Sequence, residues 1–289
     1  MRVSRRCALC ESAAFGQGEH VWPKWFTKRW KDKGPFTLRR NGETDRDRSG
    51  KVRTTDHVVP DLLPACKACN TWLNEVFEDP AKEAVRAFLR GEEVGPEPAA
   101  ACVAWFVKTL LLTTHPAVES PHPARTDGAL LDAWEIPQAY FAAMRQGLGF
   151  PTDLTLWAAR SDPSREPLAV PEDQLRRLHL GSALLDGVVR SANGAQYGIP
   201  TESDSSTVEL TLLWHPSCDV EHPMELSSEI VRLWPWVGGG LSLRAIPLLD
   251  PRAHYRLLHT FVLGSGPMLL DGQRFLLSTD NAVGQIAAE

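Results

Sequence analysis

"CKACNTWLNEVFE", Cys66 to Glu78, opens with two cysteines two residues apart and runs straight into a helical pattern, with Leu73, Val76 and Phe77 at helix spacing. A second pair with the same spacing, "CALC" (Cys7 to Cys10), stands near the start of the chain. In a chain without a secretion signal, two such pairs read as one tetrahedral four-cysteine zinc site rather than as disulfides. The 55 residues between Cys10 and Cys66 exceed the gap of a compact zinc ribbon. The metal must therefore staple together two segments that enclose something. Cys102 and Cys218 have no partner at ligand spacing, and Cys102, inside an apolar helical run, reads as a buried thiol.

The enclosed segment holds two short extended stretches punctuated by proline, "HVWPKWF" from His20 and "HVVPDLLPA" from His57. The expected order is knuckle, strand, long basic loop, strand, knuckle, helix, with Gly91 as the helix stop. This gives a first module over residues 1–90 and a Pro-, Gly- and Glu-rich linker, "GEEVGPEPAA", over 91–100. A mixed α+β domain over 101–289 follows, so the fold class is α+β. In that domain "ACVAWFVKTLLLTTH" is apolar on nearly every side and reads as a buried helix, and "PQAYFAAMRQG" reads as another. "DLTLWAAR", "TVELTLLW" and "LSLRAIPLL" read as strands, and "SSEIVRLWPW" as a short helix stopped by Pro235.

The formal net charge of -5 conceals an asymmetry. Met1 to Asn70 carries 15 Lys and Arg against 8 Asp and Glu, a net of +7, and the remainder carries 16 against 28. A basic head on an acidic body suggests that the head alone meets a polyanion, with a solvated surface on "RRNGETDRDRSGKVR" as the less favoured reading of the charge. No apolar run reaches the roughly 18 residues of a membrane span, since Val103 to Leu112 is interrupted by Lys108. Arg2, Arg5 and Arg6 lead into cysteines rather than an apolar block, so no signal peptide is expected and the chain reads as soluble and cytoplasmic.

Hydrolysis of a phosphodiester at neutral pH needs a base to activate water and a divalent cation to neutralise charge on the phosphate and the departing oxygen. "GEHVWP" supplies Glu19 as carboxylate ligand and His20 as general base, and Asn70, directly after the second knuckle, supplies an amide oxygen suited to a hard cation. Asn74, one turn on, could face the same site or be a helix-surface amide. Glu19 and His20 are adjacent on a strand and should point to opposite faces, unless Gly16, Gly18 and Pro23 bend it.

The ordered set of "CALC", "EHVWP" (Glu19 to Pro23) and "CKACN" (Cys66 to Asn70) resembles the HNH, or His-Me finger, endonucleases with a ββα-metal core. The likeness covers about 80 of the 289 residues. It implies an N-terminal ββα-metal module in which Cys7, Cys10, Cys66 and Cys69 hold structural Zn2+. Glu19 and Asn70 would hold a catalytic Mg2+ or Mn2+, and His20 would be the base. The activity implied is metal-dependent hydrolysis of DNA, with RNA as the other polyanion, leaving 5′-phosphate ends. The implied setting is foreign-DNA defence or mobile-element biology. The 101–289 domain would choose the target, bind a partner or assemble a homodimer. The sequence departs from the pattern in having Glu rather than the commoner Asp before the histidine, and in lacking a lysine soon after "CN". The rival readings are a non-catalytic zinc-stabilised nucleic-acid-binding module and an enzyme of the same core acting on a small molecule.

A second acid–histidine stretch, "TDHVVP", lies too close to the second knuckle to provide the base. It reads as part of the second strand, with His57 either a chance echo or an auxiliary phosphate contact. "VEHPM", at Glu221 and His222, has no knuckle beside it and reads as structural. Lys24, Lys28, Arg29, Arg39, Arg40 and Arg53 are the candidate phosphate contacts. Trp22, Trp25 and Trp30 interleave with some of them and could stack bases, but core roles fit Trp22 and Trp25 better.

Overall fold

A computed structural model describes residues 5–14, 18–30, 36–37, 39–40, 43–44, 49–51, 54–55, 62–115, 117–118, 138–146, 149–150, 154–165, 168, 183–185, 188–191, 194–214, 220–263, 268–270, 273–277 and 283–286. The first part contains β1 (Arg5–Arg6), β2 (Ala13–Ala14), β3 (Glu19–His20), α1 (Lys24–Thr27), β4 (Phe36–Thr37), β5 (Arg39–Arg40), β6 (Glu43–Thr44), β7 (Thr54–Thr55) and β8 (Leu62–Leu63). Helices α2 (Lys67–Leu73), α3 (Asp79–Leu89), α4 (Pro96–Thr113) and α5 (Gln138–Arg145) follow. Next come β9 (Leu154–Ser161), β10 (Ala183–Leu185), β11 (Val188–Ser191), β12 (Gly194–Pro200), β13 (Thr207–Trp214), β14 (Val220–Glu221), α6 (Pro223–Leu226) and β15 (Val231–Trp234). The last elements are α7 (Pro251–Leu263), β16 (Met268–Leu270), β17 (Gln273–Leu277) and β18 (Val283–Ile286). The fold is mixed α+β, and among the described residues every pairing between the named strands is antiparallel.

An eight-stranded sheet in the order β15-β9-β13-β12-β11-β10-β5-β6 forms the main layer. Helix α4 packs on it and carries the apolar sequence on all sides that marks a fully buried helix. Cys102 is buried there, as expected. The core is continuous, running from Cys7, Trp22 and Phe26 through Phe88, Trp105 and Phe106 to Leu210 and Leu243. Residues 96–100, the second half of the expected linker, form the first turn of α4 with Pro96 at its start, and Val94 bridges Leu241. Among the described residues no helix is long and apolar enough to cross a membrane.

Several local expectations change. "KWF" is helical rather than extended, because Pro23 adopts an extended N-cap conformation that starts α1 and puts Trp22 and Phe26 one turn apart. "VRLW" in "SSEIVRLWPW" is strand β15, paired with β9, where its β-branched and aromatic residues fit a half-buried sheet. "LSLRAIPLL" is mostly a 3-10 turn at Leu243–Ala245, with isolated bridges at Leu241 and Leu248. The basic stretch is split into the β4–β7 ribbon and the β5–β6 hairpin, and β5 adds to the large sheet through Arg40 opposite Leu185.

The helical run after the second knuckle is interrupted by a π turn over Asn74–Glu78 between α2 and α3. The extra residue in that turn leaves Val76 46% exposed and directs the Glu78 carboxylate into the core. Gly91, at a φ of +81, ends α3 as expected.

Candidate metal centre and catalytic strand

The four knuckle cysteines converge, their sulfurs all lying within 4.8 Å of one another. The first pair sits on the β1–β2 hairpin, in a turn closed by Cys7 N–H to Ser12 O at 2.7 Å with Glu11 in the left-handed region. In the second pair Cys66 is the N-cap of α2 and Cys69 lies in its first turn. Ala8 N–H donates to Pro64 O at 2.8 Å and ties the two knuckles together.

Zn–S bonds of about 2.3 Å in a tetrahedron give sulfur separations of about 3.8 Å. The Cys10 and Cys66 sulfurs are 3.7 Å apart, which fits that edge and is far too long for a disulfide. Burial raises the Cys7 and Cys69 thiols above their ordinary value. The Ser12 hydroxyl, 3.0 Å away, helps lower Cys10. Burial also acts to raise Cys66, but hydrogen bonds from the Cys69 backbone, Ser12 and the neighbouring thiols outweigh it and bring Cys66 down to about 6. Four sulfurs so placed, two of them poised to lose protons, suit a divalent cation held structurally.

β3 lies directly beside this centre. Gly18, at φ +70, leads into it, and a Cβ there would lie 2.8 Å from Leu63 O. Only glycine permits so close an approach in that conformation. Glu19 pairs with Leu63 and His20 with Leu62, so the partner strand is β8, immediately before the second knuckle. Of "TDHVVP", only Thr55 is described, in β7, and it pairs with Phe36. Asp56 to Pro60, His57 among them, lie outside the described residues.

The two candidate residues of β3 take opposite faces, as a flat strand requires. Glu19 is 5% exposed and hydrogen-bonds to Glu78. Glu78, also 5% exposed, accepts from Lys108 Nζ at 3.1 Å and from Trp25 Nε1 at 3.3 Å. Lys108 is wholly buried. Burial drives the Glu19 carboxyl up to about 7, with Lys108 opposing and Glu78 reinforcing the rise. A protonated Glu19 donating to Glu78, itself paired with Lys108, leaves the buried cluster neutral.

His20 is half-exposed on the other face. Partial burial, and then Lys24, hold its imidazole below the ordinary value against the pull of Glu78. At neutral pH it is therefore uncharged, the form a general base requires. Asn70 is half-buried on α2, and its Oδ1 accepts from Asn74 Nδ2 at 3.2 Å. Asn70 and Asn74 thus share a helix face.

Family models, curated proteins and solved structures gave no match. The four cysteines form the one metal-sized group of His, Cys, Asp and Glu among the described residues, and Glu19 and His20 belong to no second one. Of the donors expected for a catalytic ion, Glu19 is turned toward Glu78, and the Asn70 oxygen accepts from Asn74 with one lone pair left over.

Of the expected phosphate contacts, Lys24 and Lys28 are exposed beside β3. Arg29 is tied to Glu202, with Nε 3.1 Å from Oε1. Arg39 and Arg40 contribute backbone to β5, their side chains lying outside the described residues together with Arg53 and Trp30. Trp22 is core, stacked on Tyr197 at 4.0 Å, and Trp25 is half-buried with Arg86 above its ring. His222, the third acid–histidine site, is buried against Trp157 and accepts the Met224 N–H.

Sequence reasoning missed the Glu78–Lys108 pair as a feature of the site. Its signal was Lys108 itself, a lone charge inside an otherwise apolar buried helix, which demands a buried counter-charge.

Proposed function

We propose that this protein is a metal-dependent endonuclease of the HNH kind that hydrolyses DNA phosphodiester bonds. The observation carrying the reading is the joining of three parts around one four-cysteine centre: the His20 strand, its partner strand entering the second knuckle, and the helix that carries Asn70. His20 takes the proton from attacking water, for which its half-exposed, uncharged imidazole is suited. Lys24 and Lys28 draw the phosphate backbone toward it. Mg2+ or Mn2+, when bound, would neutralise charge on the phosphate and the leaving oxygen. Asn70 offers an amide oxygen for such an ion, whereas Glu19 joins only by giving up Glu78. Cys7, Cys10, Cys66 and Cys69, sharing one zinc, would hold strand and helix in register, so that folding and assembly of the site are one event.

The inward turn of Glu19 favours a second reading, a non-catalytic nucleic-acid-binding module stabilised by zinc. The two differ in their demand for a second ion. Titration of zinc-loaded protein with Mn2+, followed by electron paramagnetic resonance, should register one exchangeable Mn2+ that Asn70→Ala weakens. Salt-sensitive DNA binding with no Mn2+ uptake would refute the endonuclease and establish the binding module.

A further inference from the structure

Helix α5 lies some 70 residues beyond the second knuckle, yet it touches both. Gln138, at its start, donates from Nε2 to the Ala8 carbonyl at 2.7 Å, inside the first knuckle. Arg145, at its end, lies near Cys69 in the second, where its guanidinium favours the thiolate form. The two residues are seven apart, or two helical turns and about 10 Å, and so project from one face of the helix. Arg145 is further fixed by stacking over Trp72 at 5.0 Å, one turn of α2 beyond Ala68.

The Gln138 contact is the last link of a directed chain. Ala117 N–H donates to His115 Nδ1 at 3.0 Å, which leaves the proton of this imidazole on Nε2. Nε2 is 3.1 Å from Gln138 Oε1 and donates to it. The amide nitrogen of Gln138 is thereby aimed at Ala8 O. Ala8 then has both backbone groups engaged, its N–H on Pro64 and its carbonyl on Gln138.

A divalent ion with four thiolates carries a net charge of about -2, and hydrogen-bond donors and cations just outside the ligands stabilise such a centre. We infer that α5 completes the metal centre from outside the knuckle module, with Arg145 compensating the charge on Cys69 and Gln138, oriented by His115, fixing the first knuckle. Metal retention and docking of the rest of the chain are then a single equilibrium. The inference concerns the four-cysteine site and stands whether or not His20 catalyses hydrolysis.

The test is zinc competition against a chromophoric chelator, using full-length wild type, Arg145→Gln, Arg145→Lys and Gln138→Met. Loss of an outer partner typically weakens metal binding about 10- to 100-fold. Arg145→Gln and Gln138→Met should fall in that range, and Arg145→Lys, which keeps the charge, should lose less than Arg145→Gln. Zinc affinity within twofold of wild type for Arg145→Gln and Gln138→Met would overturn the inference. So would equal losses in the two Arg145 variants, which would reduce Arg145 to packing on Trp72. Hydrogen exchange on the unaltered protein supplies a second arm. Chelation should deprotect residues 138–145 together with the knuckles, and retained protection across 138–145 would also overturn the inference.

Discussion

Replacing Glu19 with Gln should stabilise the protein at alkaline pH and leave it unchanged in acid. Glu19 is buried against Glu78 and Lys108, and its carboxyl is raised from 4.5 to about 7, chiefly by burial. The unfolded chain releases this proton near the ordinary value, so between about 4.5 and about 7 the folded state holds a proton that the unfolded state lacks. Stability contributed by this group is complete below about 4.5 and is lost as pH rises to about 7. At about 1.4 kcal/mol per pH unit the loss is on the order of 3 kcal/mol. Glutamine is an isostere of the protonated acid, donates to Glu78 in the same way and has nothing to ionise. Urea unfolding of zinc-loaded wild type and Glu19→Gln, followed by tryptophan fluorescence, should give a gap of no more than about 1 kcal/mol near pH 5. By pH 8 the variant should lead by about 2–3 kcal/mol. A gap that does not change with pH, or a variant less stable at pH 8, would refute a buried protonated Glu19.

The same cluster sets an order among its other members. Lys108→Met removes the cation and should cost about 3–5 kcal/mol in urea unfolding, because Glu78 is left buried without a counter-charge. Glu78→Gln should cost only about 1–2 kcal/mol, since Glu19 can then release its proton and pair with Lys108. Gly18→Ala should destabilise by about 2–4 kcal/mol in the same assay, from its left-handed backbone and its 2.8 Å approach to Leu63 O.

The four-cysteine cluster was legible because metal-ligand chemistry fixes both residue type and spacing, and Cys7, Cys10, Cys66 and Cys69 satisfy both. Amphipathic period and apolar content gave α4, α5, β9 and β13, whose burial is what that pattern encodes. The π turn was not legible. The spacing of Leu73, Val76 and Phe77 suits an ordinary helix, and the shift that buries Glu78 is settled by its tertiary partner Lys108, 30 residues on. Strand β15 was missed because "SSE" reads as a helix cap, whereas pairing with β9 decides the conformation of the residues after it. The role of α5 at the knuckles was hidden for a similar reason. Gln138 and Arg145 carry no ligand signature, and only the fold brings them to Ala8 and Cys69. For β3, simple alternation implies opposite faces for Glu19 and His20, and the bend that the nearby glycines and proline suggested does not turn Glu19 outward to join His20. The sequence did not reveal that the inward face would hold another carboxylate and a lysine.

The central claim, that His20 is the base of a metal-dependent nuclease, is tested most directly by incubating zinc-loaded protein with supercoiled plasmid and Mg2+ or Mn2+, alongside His20→Ala of equal zinc content. The expected result is nicking or linearisation by the wild type that is abolished by chelating the added ion and reduced about a hundredfold to ten-thousandfold in the variant. Cleavage that His20→Ala retains at the wild-type rate, or no cleavage by folded, zinc-loaded wild type with either ion, would contradict it.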